Sequence, residues 1–268
     1  MKHLLITTIS FLFTIVANAN PQCPSNNEIV PPSLSDQNSR TLSNNYSVHQ
    51  CSIDNLCFNS KRDQLWAQKR VDGDLMLKRV SELSKINYKG GVAVVDSGFD
   101  HNGSIKDLKT PPYYVKNNQF SKFPGVDYGH HGTAVAGLIG GKKGIGLSPD
   151  SPMYVYNFYS EIDDDLQAGL DAINNACDRG IPIINFSYYP KVGNAEYYFR
   201  YDFIHRLKQR GCILIISAGN DGYKEDLKYN KPNDSLITVR STNTFHYKSN
   251  FSNHGEISAP GEFVYTLN

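Results

Sequence analysis

An α/β fold built on a mostly parallel central sheet, with helices on both faces in three layers, is what this sequence predicts. Three observations predict it. Short runs apolar on every residue alternate with stretches apolar on one helical face. The helical stretches start with acids or small residues and stop at glycine. Polar, chemistry-bearing residues recur just after the apolar runs, at the carboxyl ends of the strands, where such sheets collect their ligands.

Each element follows from its own residues. Val92 to Val95 is a buried strand, ended by Asp96-Ser97-Gly98. Gly132 to Gly141 is a run of small and apolar residues, a close-packed helix. Met153 to Phe158 is the next strand. Asp163, Asp164 and Asp165 open a helix whose stripe is Leu166, Leu170, Ile173 and Cys177, and Gly180 stops it. Ile181 to Phe186 is a strand interrupted only by Pro182. Phe199, Phe203 and Leu207 share one helical face before Gly211. Cys212 to Ser217 and Ser235 to Val239 are further buried strands.

Ahead of this pattern lie two stretches of another character. Residues 1–19 carry Lys2, an apolar run from Leu4 to Val16 and Ala17-Asn18-Ala19, the layout of a cleavable secretory signal cut after Ala19. That run is short for a membrane span. Residues 20–61 are rich in Asn, Ser, Pro and Gln and read as irregular. Residues 62–268 form the folded domain. The expected location is therefore outside the cytoplasm, secreted or periplasmic, with no membrane partner once the signal is gone.

The formal net charge is +1 over 268 residues, which argues against a nucleic-acid partner. Export permits disulfides. Of the five cysteines, a pair among Cys23, Cys51 and Cys57 is expected. Cys177 and Cys212 read as buried small hydrophobes, and no metal-type Cys/His spacing occurs.

A carboxylate at the end of a core strand needs partners. Gly129-His130-His131-Gly132-Thr133 supplies one. A helix of small residues packs closely on the sheet and brings its first histidine to the strand ends. An Asp that accepts the Nδ1 proton leaves Nε2 as a base. Taken singly, Asp96 is a turn acid, His131 a helix-terminal residue and Asn220 a turn residue before Asp-Gly. Their order in the chain decides otherwise.

The segments VAVVDSGFD, HGTAVAG, INFS, ISAGNDG and ISAPG, in that order, resemble the motif series of the subtilisin-like serine peptidases. The resemblance implies a subtilisin-like domain acting on a peptide or protein substrate. It implies Asp96 and His131, not His130, as triad members and Asn220 as the oxyanion-hole amide. Ser187, Tyr188, Tyr189, Ala218 and Gly219 match positions that border the substrate.

The chain also departs from the family. The Gly-Thr-Ser that carries the nucleophile follows Ala-Pro-Gly after a short stretch in the family, and it does not occur in these 268 residues. The domain is expected to be incomplete at its C-terminus, and apolar strand surface to be exposed where the serine helix would lie. Tyr189 replaces a family glycine and crowds the cleft. Many members bind calcium in a loop after the histidine helix; the Gly140–Gly146 segment is too short for it, and Asp107-Leu108 is out of step with the acidic family position. No metal site and no cofactor is expected. Three functions follow: a peptidase inactive without its serine, a secreted pseudopeptidase that binds peptides or a partner, or one half of a split enzyme whose second chain brings the serine helix.

Overall fold

The computed structural model describes residues 66–71, 90–100, 104–115, 130–142, 145–158, 166–188, 201–222, 235–243, 245–262 and 264–267. The signal and the 20–61 segment, Cys23, Cys51, Cys57, Asp163 to Asp165, Tyr189 and Phe199 lie outside these residues. The described elements are α1 (Trp66–Arg70), β1 (Val92–Asp96), a 3-10 turn (Ser104–Asp107), β2 (Tyr113–Tyr114), α2 (His131–Gly140), β3 (Met153–Asn157), α3 (Leu166–Asp178), β4 (Ile183–Phe186), α4 (Tyr201–Gln209), β5 (Ile213–Ser217), β6 (Leu236–Thr242) and β7 (Ile257–Pro260).

The strands form one sheet in the order β2-β3-β1-β4-β5-β6-β7, and every ladder in it is parallel. β1 is central, with all five residues buried. Because successive side chains of a strand point to opposite faces, β1 feeds two cores. Val92 and Val94 pack with Val135, Leu138 and Ile139 of α2. Ala93 and Val95 pack with Leu170 and Ile173 of α3 and Leu207 of α4. Each fully buried Val, Leu or Ile contributes about 1.5–3 kcal/mol, so the two-sided apolar run fixes β1 inside the sheet. Asp96 shares its parity with Val92 and Val94, which aims it at the α2 face.

α2 sits close because it is made of small residues. Gly132 to Gly140 are all buried, and at Gly140 an added Cβ would lie 3.0 Å from Met153 Cε. α3 buries the expected stripe of Leu166, Leu170, Ile173 and Cys177. The glycines that stop α3 and α4 act through conformation: Gly180 and Gly211 have φ of 74° and 79°, with open space where a Cβ would be. Among the described residues no helix is long and apolar enough to cross a membrane.

Two expectations are corrected. Cys177 and Cys212 are indeed buried, at 3% and 1% exposure, but they are bonded to each other in a disulfide, with Cα atoms 5.9 Å apart. Sequence alone could not show that the end of α3 and the start of β5 meet. The expected exposure of strand surface on the α2 face is found only in part: Ile215, Ile237, Val239 and Ala259 are buried there, joined by Leu267, while Ile213 and Ile257 are half-buried. Part of the cover is the 264–267 segment. It lies on α2, where Thr266 Oγ1 donates to Ala134 O and Gly137 leaves no room for a Cβ beside Leu267.

Tyr156 on β3 gives a test of the second core. Its ring is fully buried and its hydroxyl donates to Asn175 Oδ1 at 3.2 Å. Burial pushes its phenol up to about 12 from 10.0. The folded state thus holds this proton to higher pH than the unfolded chain does. Its stabilisation is complete below pH 10 and is lost as pH rises toward 12. Melting curves between pH 9 and 12 are expected to fall more steeply in the wild type than in Tyr156→Phe.

Candidate active site

The carboxyl ends of β1, β3 and β4 surround one cleft of about 310 Å³, lined by Val95, Asp96, Ser97, His131, Phe158, Ser187 and Tyr188. Its place follows from topology. The chain leaves β1 toward β3 on one side and returns to β4 on the other, so β1 lies where the strand order reverses, and a crevice opens at such points.

Asp96 ends β1 at 3% exposure. Its Oδ1 accepts from His131 Nδ1 at 2.7 Å, from the Ser97 backbone N–H at 2.8 Å and from the Ser97 hydroxyl at 3.3 Å. Donors converging on one oxygen are what a buried carboxylate needs. Among the described residues Asp96 Oδ2 has no hydrogen-bond partner. The His131 side chain is 26% exposed against 4% for Asp96. The histidine therefore spans from the core to the open cleft, anchored through one ring nitrogen. His130 caps α2 in the left-handed conformation, φ 56°, and makes no side-chain cap bond, so the pairing falls to His131.

Two contacts position α2 against this turn. Gly132 lies on the Gly98 carbonyl with no space for a Cβ, and Asp96 Cβ is 3.1 Å from where one would stand. Thr133 Oγ1 accepts the Asp100 N–H at 2.8 Å. The glycine and threonine after His131 thus serve the packing that registers the histidine on the aspartate.

On the opposite wall, Ser187 follows β4 and exchanges hydrogen bonds with buried Asn185, 3.0 Å from the amide nitrogen and 3.3 Å from its oxygen. Tyr188 packs edge-on against Phe158, with ring centroids 5.6 Å apart, and lies 5.5 Å from the Phe186 ring. Phe158 is a cleft residue that sequence reasoning placed only in a strand; its position one residue past β3 was the available signal. Ser97 was missed as well.

Ala218, Gly219 and Asn220 sit at the end of β5, one strand past β4, outside the lining of this cleft. Ala218 and Gly219 are buried and Asn220 is exposed. Gly219 has φ 94°, which suits glycine. The turn is held from below by Asn253, fully buried. Its N–H donates to Gly219 O at 2.9 Å, its Oδ1 accepts the Asp221 N–H at 3.1 Å, and its Nδ2 donates to Asp221 Oδ2 at 3.2 Å. Asn220 is thereby presented on a fixed turn at the carboxyl edge.

Among the described residues no group of three or more His, Cys, Asp or Glu side chains is placed to hold a metal ion. Asp107 instead faces the Lys142 ammonium at 3.9 Å, and that ammonium donates to Lys106 O at 2.9 Å.

A family profile described as the Subtilase family matches residues 90–268. The Minor extracellular protease Epr of Bacillus subtilis is 30% identical over 179 residues, 63% of this chain and 26% of that protein. Subtilisin-like protease 2 of Trichophyton tonsurans is 30% identical over 162 residues, 55% of this chain and 36% of that protein. Among solved structures, the epidermin leader peptide processing serine protease of Staphylococcus aureus superposes with a TM-score of 0.52 at 22% identity, over 76% of this chain and 59% of that one. The matches thus reach only about a quarter to a third of the length of these two curated relatives, and the structural likeness speaks to the fold.

Proposed function

The chain belongs to the subtilase family, and on that premise we propose that residues 62–268 supply the acid–base pair and the substrate cleft of an exported serine endopeptidase. The observation that carries this is the 2.7 Å contact between Asp96 Oδ1 and His131 Nδ1 at the carboxyl edge of a parallel sheet. In this reading Asp96 fixes the imidazole tautomer and His131 Nε2 takes the proton of an attacking serine. Asn220 donates to the oxyanion that forms on the peptide carbonyl. Ser187 and Tyr188 border the peptide on one side, and Ala218 and Gly219 on the other; Tyr189, outside the described residues, keeps the substrate-bordering role that the family resemblance implies. The extracellular relative and the N-terminal signal pattern support export.

The attacking oxygen has to sit on His131 Nε2, and no Gly-Thr-Ser lies within residues 1–268. Acylation therefore needs a serine from outside this span, in a longer chain or a separate one. Purified residues 20–268 are expected to resist a fluorophosphonate probe and to cleave no peptide, and to gain labelling when a Gly-Thr-Ser segment is supplied. Stoichiometric labelling of the unsupplemented chain, abolished in His131→Ala, would reveal a nucleophile inside it. Ser187, on the cleft wall, is the first residue to replace in that case.

A further inference from the structure

The corner where α3 ends and β5 begins holds a covalent feature that the cleft chemistry does not use. Cys177 and Cys212 are disulfide-bonded across 35 residues of sequence and are 3% and 1% exposed. The closed loop contains β4, the cleft wall at Ser187 and Tyr188, and α4. The bond lies at the amino edge of the sheet, opposite Asp96 and His131.

We propose that Cys177–Cys212 is a permanent structural crosslink, made once the chain has left the cytoplasm, that stabilises the α3–α4 layer by restricting the unfolded chain. The native corner is already tied without it. Ile181 N–H donates to Ala176 O at 3.1 Å, Cys212 N–H to Leu207 O at 3.0 Å and Ile213 N–H to Pro182 O at 2.8 Å. Arg210 bridges to Asp178 at 2.5 Å and Asn174 at 2.9 Å. A bond across contacts that form anyway adds little to the native state. Its effect lies in the entropy of the loop it closes when those contacts are lost.

The chemistry is thiol–disulfide exchange with an oxidised dithiol carrier of the compartment. One cysteine thiolate attacks the carrier's disulfide and forms a mixed disulfide. The second thiolate attacks the protein sulfur of that mixed disulfide and displaces the carrier, which leaves as a reduced dithiol. The protein loses two electrons and two protons, and the carrier gains them. Afterwards burial closes the bond to reductants, so it serves as a staple and not as a switch.

This deepens the export reading, and one sample separates the two. The full chain, recovered after secretion, is alkylated in denaturant without reduction and digested with trypsin. Peptides 144–179 and 211–224 are expected to stay joined. Alkylated, unlinked Cys177 and Cys212 would overturn the crosslink; an N-terminus at Met1 instead of Asn20 on the same sample would overturn export alone. Dithiothreitol without denaturant is expected to release neither thiol, and their release from the folded protein would overturn permanence. A Cys177→Ala/Cys212→Ala variant is expected to melt roughly 10 °C lower. Oxidised and reduced-alkylated wild type, compared for their urea midpoints, give the same comparison without substitution; coincident midpoints would overturn the stabilising role.

Discussion

Gly132→Ala is expected to lower stability by about 3 kcal/mol or more, a fall of roughly 10 °C in Tm, and to break the Asp96–His131 contact. The new methyl group meets the Gly98 carbonyl oxygen, and Asp96 Cβ stands 3.1 Å away. Neither neighbour can yield. Gly98 sits at φ 135°, a conformation that glycine alone adopts readily. Asp96 is held by its pairing with Asn157 of β3 and by the Phe158 N–H that donates to its carbonyl at 3.1 Å. The start of α2 has to lift, and His131 moves with it. Gly180→Ala is the control: φ is 74° there and the space is open, so only backbone conformation is charged, about 1 kcal/mol. Calorimetry gives both values, and the Nδ1 proton resonance of His131 reports the contact. Equal losses in the two variants, with that resonance kept, would remove the close-approach account of α2.

Asp96→Asn is expected to lower kcat roughly 10⁴-fold in a chain supplied with its serine, with KM nearly unchanged. The carboxylate can only accept from the ring, which puts the proton on Nδ1 and the lone pair on Nε2. An asparagine can turn its NH₂ toward Nδ1. The ring then carries its proton on Nε2, and the base facing the cleft is gone. The side chains are nearly the same size, so the strand end keeps its packing. Imidazole 15N shifts of the chain alone give an independent reading: the protonated nitrogen is expected to exchange from Nδ1 to Nε2. If the tautomer is the same in both proteins, Asp96 does not orient the base.

The strands that carry the site were legible because they are apolar on both faces. Val92 to Val95, Met153 to Phe158 and Cys212 to Ser217 match β1, β3 and β5 to within a residue at either end. β4 begins two residues later than its apolar run, after Pro182, which has no N–H for the ladder. β7 was not read as a strand, because Ile257 and Ser258 are half-buried on the sheet edge and Pro260 ends it. β2 is two tyrosines after two prolines, too short to show a period. Within the site, the pairing of Asp96 with His131 rested on the small-residue helix and on motif order; the parity that aims Asp96 at the α2 face came with the sheet itself. The Cys177–Cys212 bond, the Asn253 brace under Asn220 and the Thr133–Asp100 tie were not legible. Each joins residues more than 30 positions apart, through contacts set only when the layers assemble.

The place of β1 in the sheet also governs the order in which the molecule can come together. Its two neighbours are β3 and β4, which leave the ribosome roughly 60 and 90 residues after it. At typical elongation rates that is a wait of several seconds, on the order of ten, before this strand, buried along its whole length in the finished sheet, has a partner on each side. Parallel pairing between such distant segments is intrinsically slow. The sheet can therefore close around β1 only once β4 has emerged, so the Asp96 end of the strand is the part of the site that waits longest for its second wall.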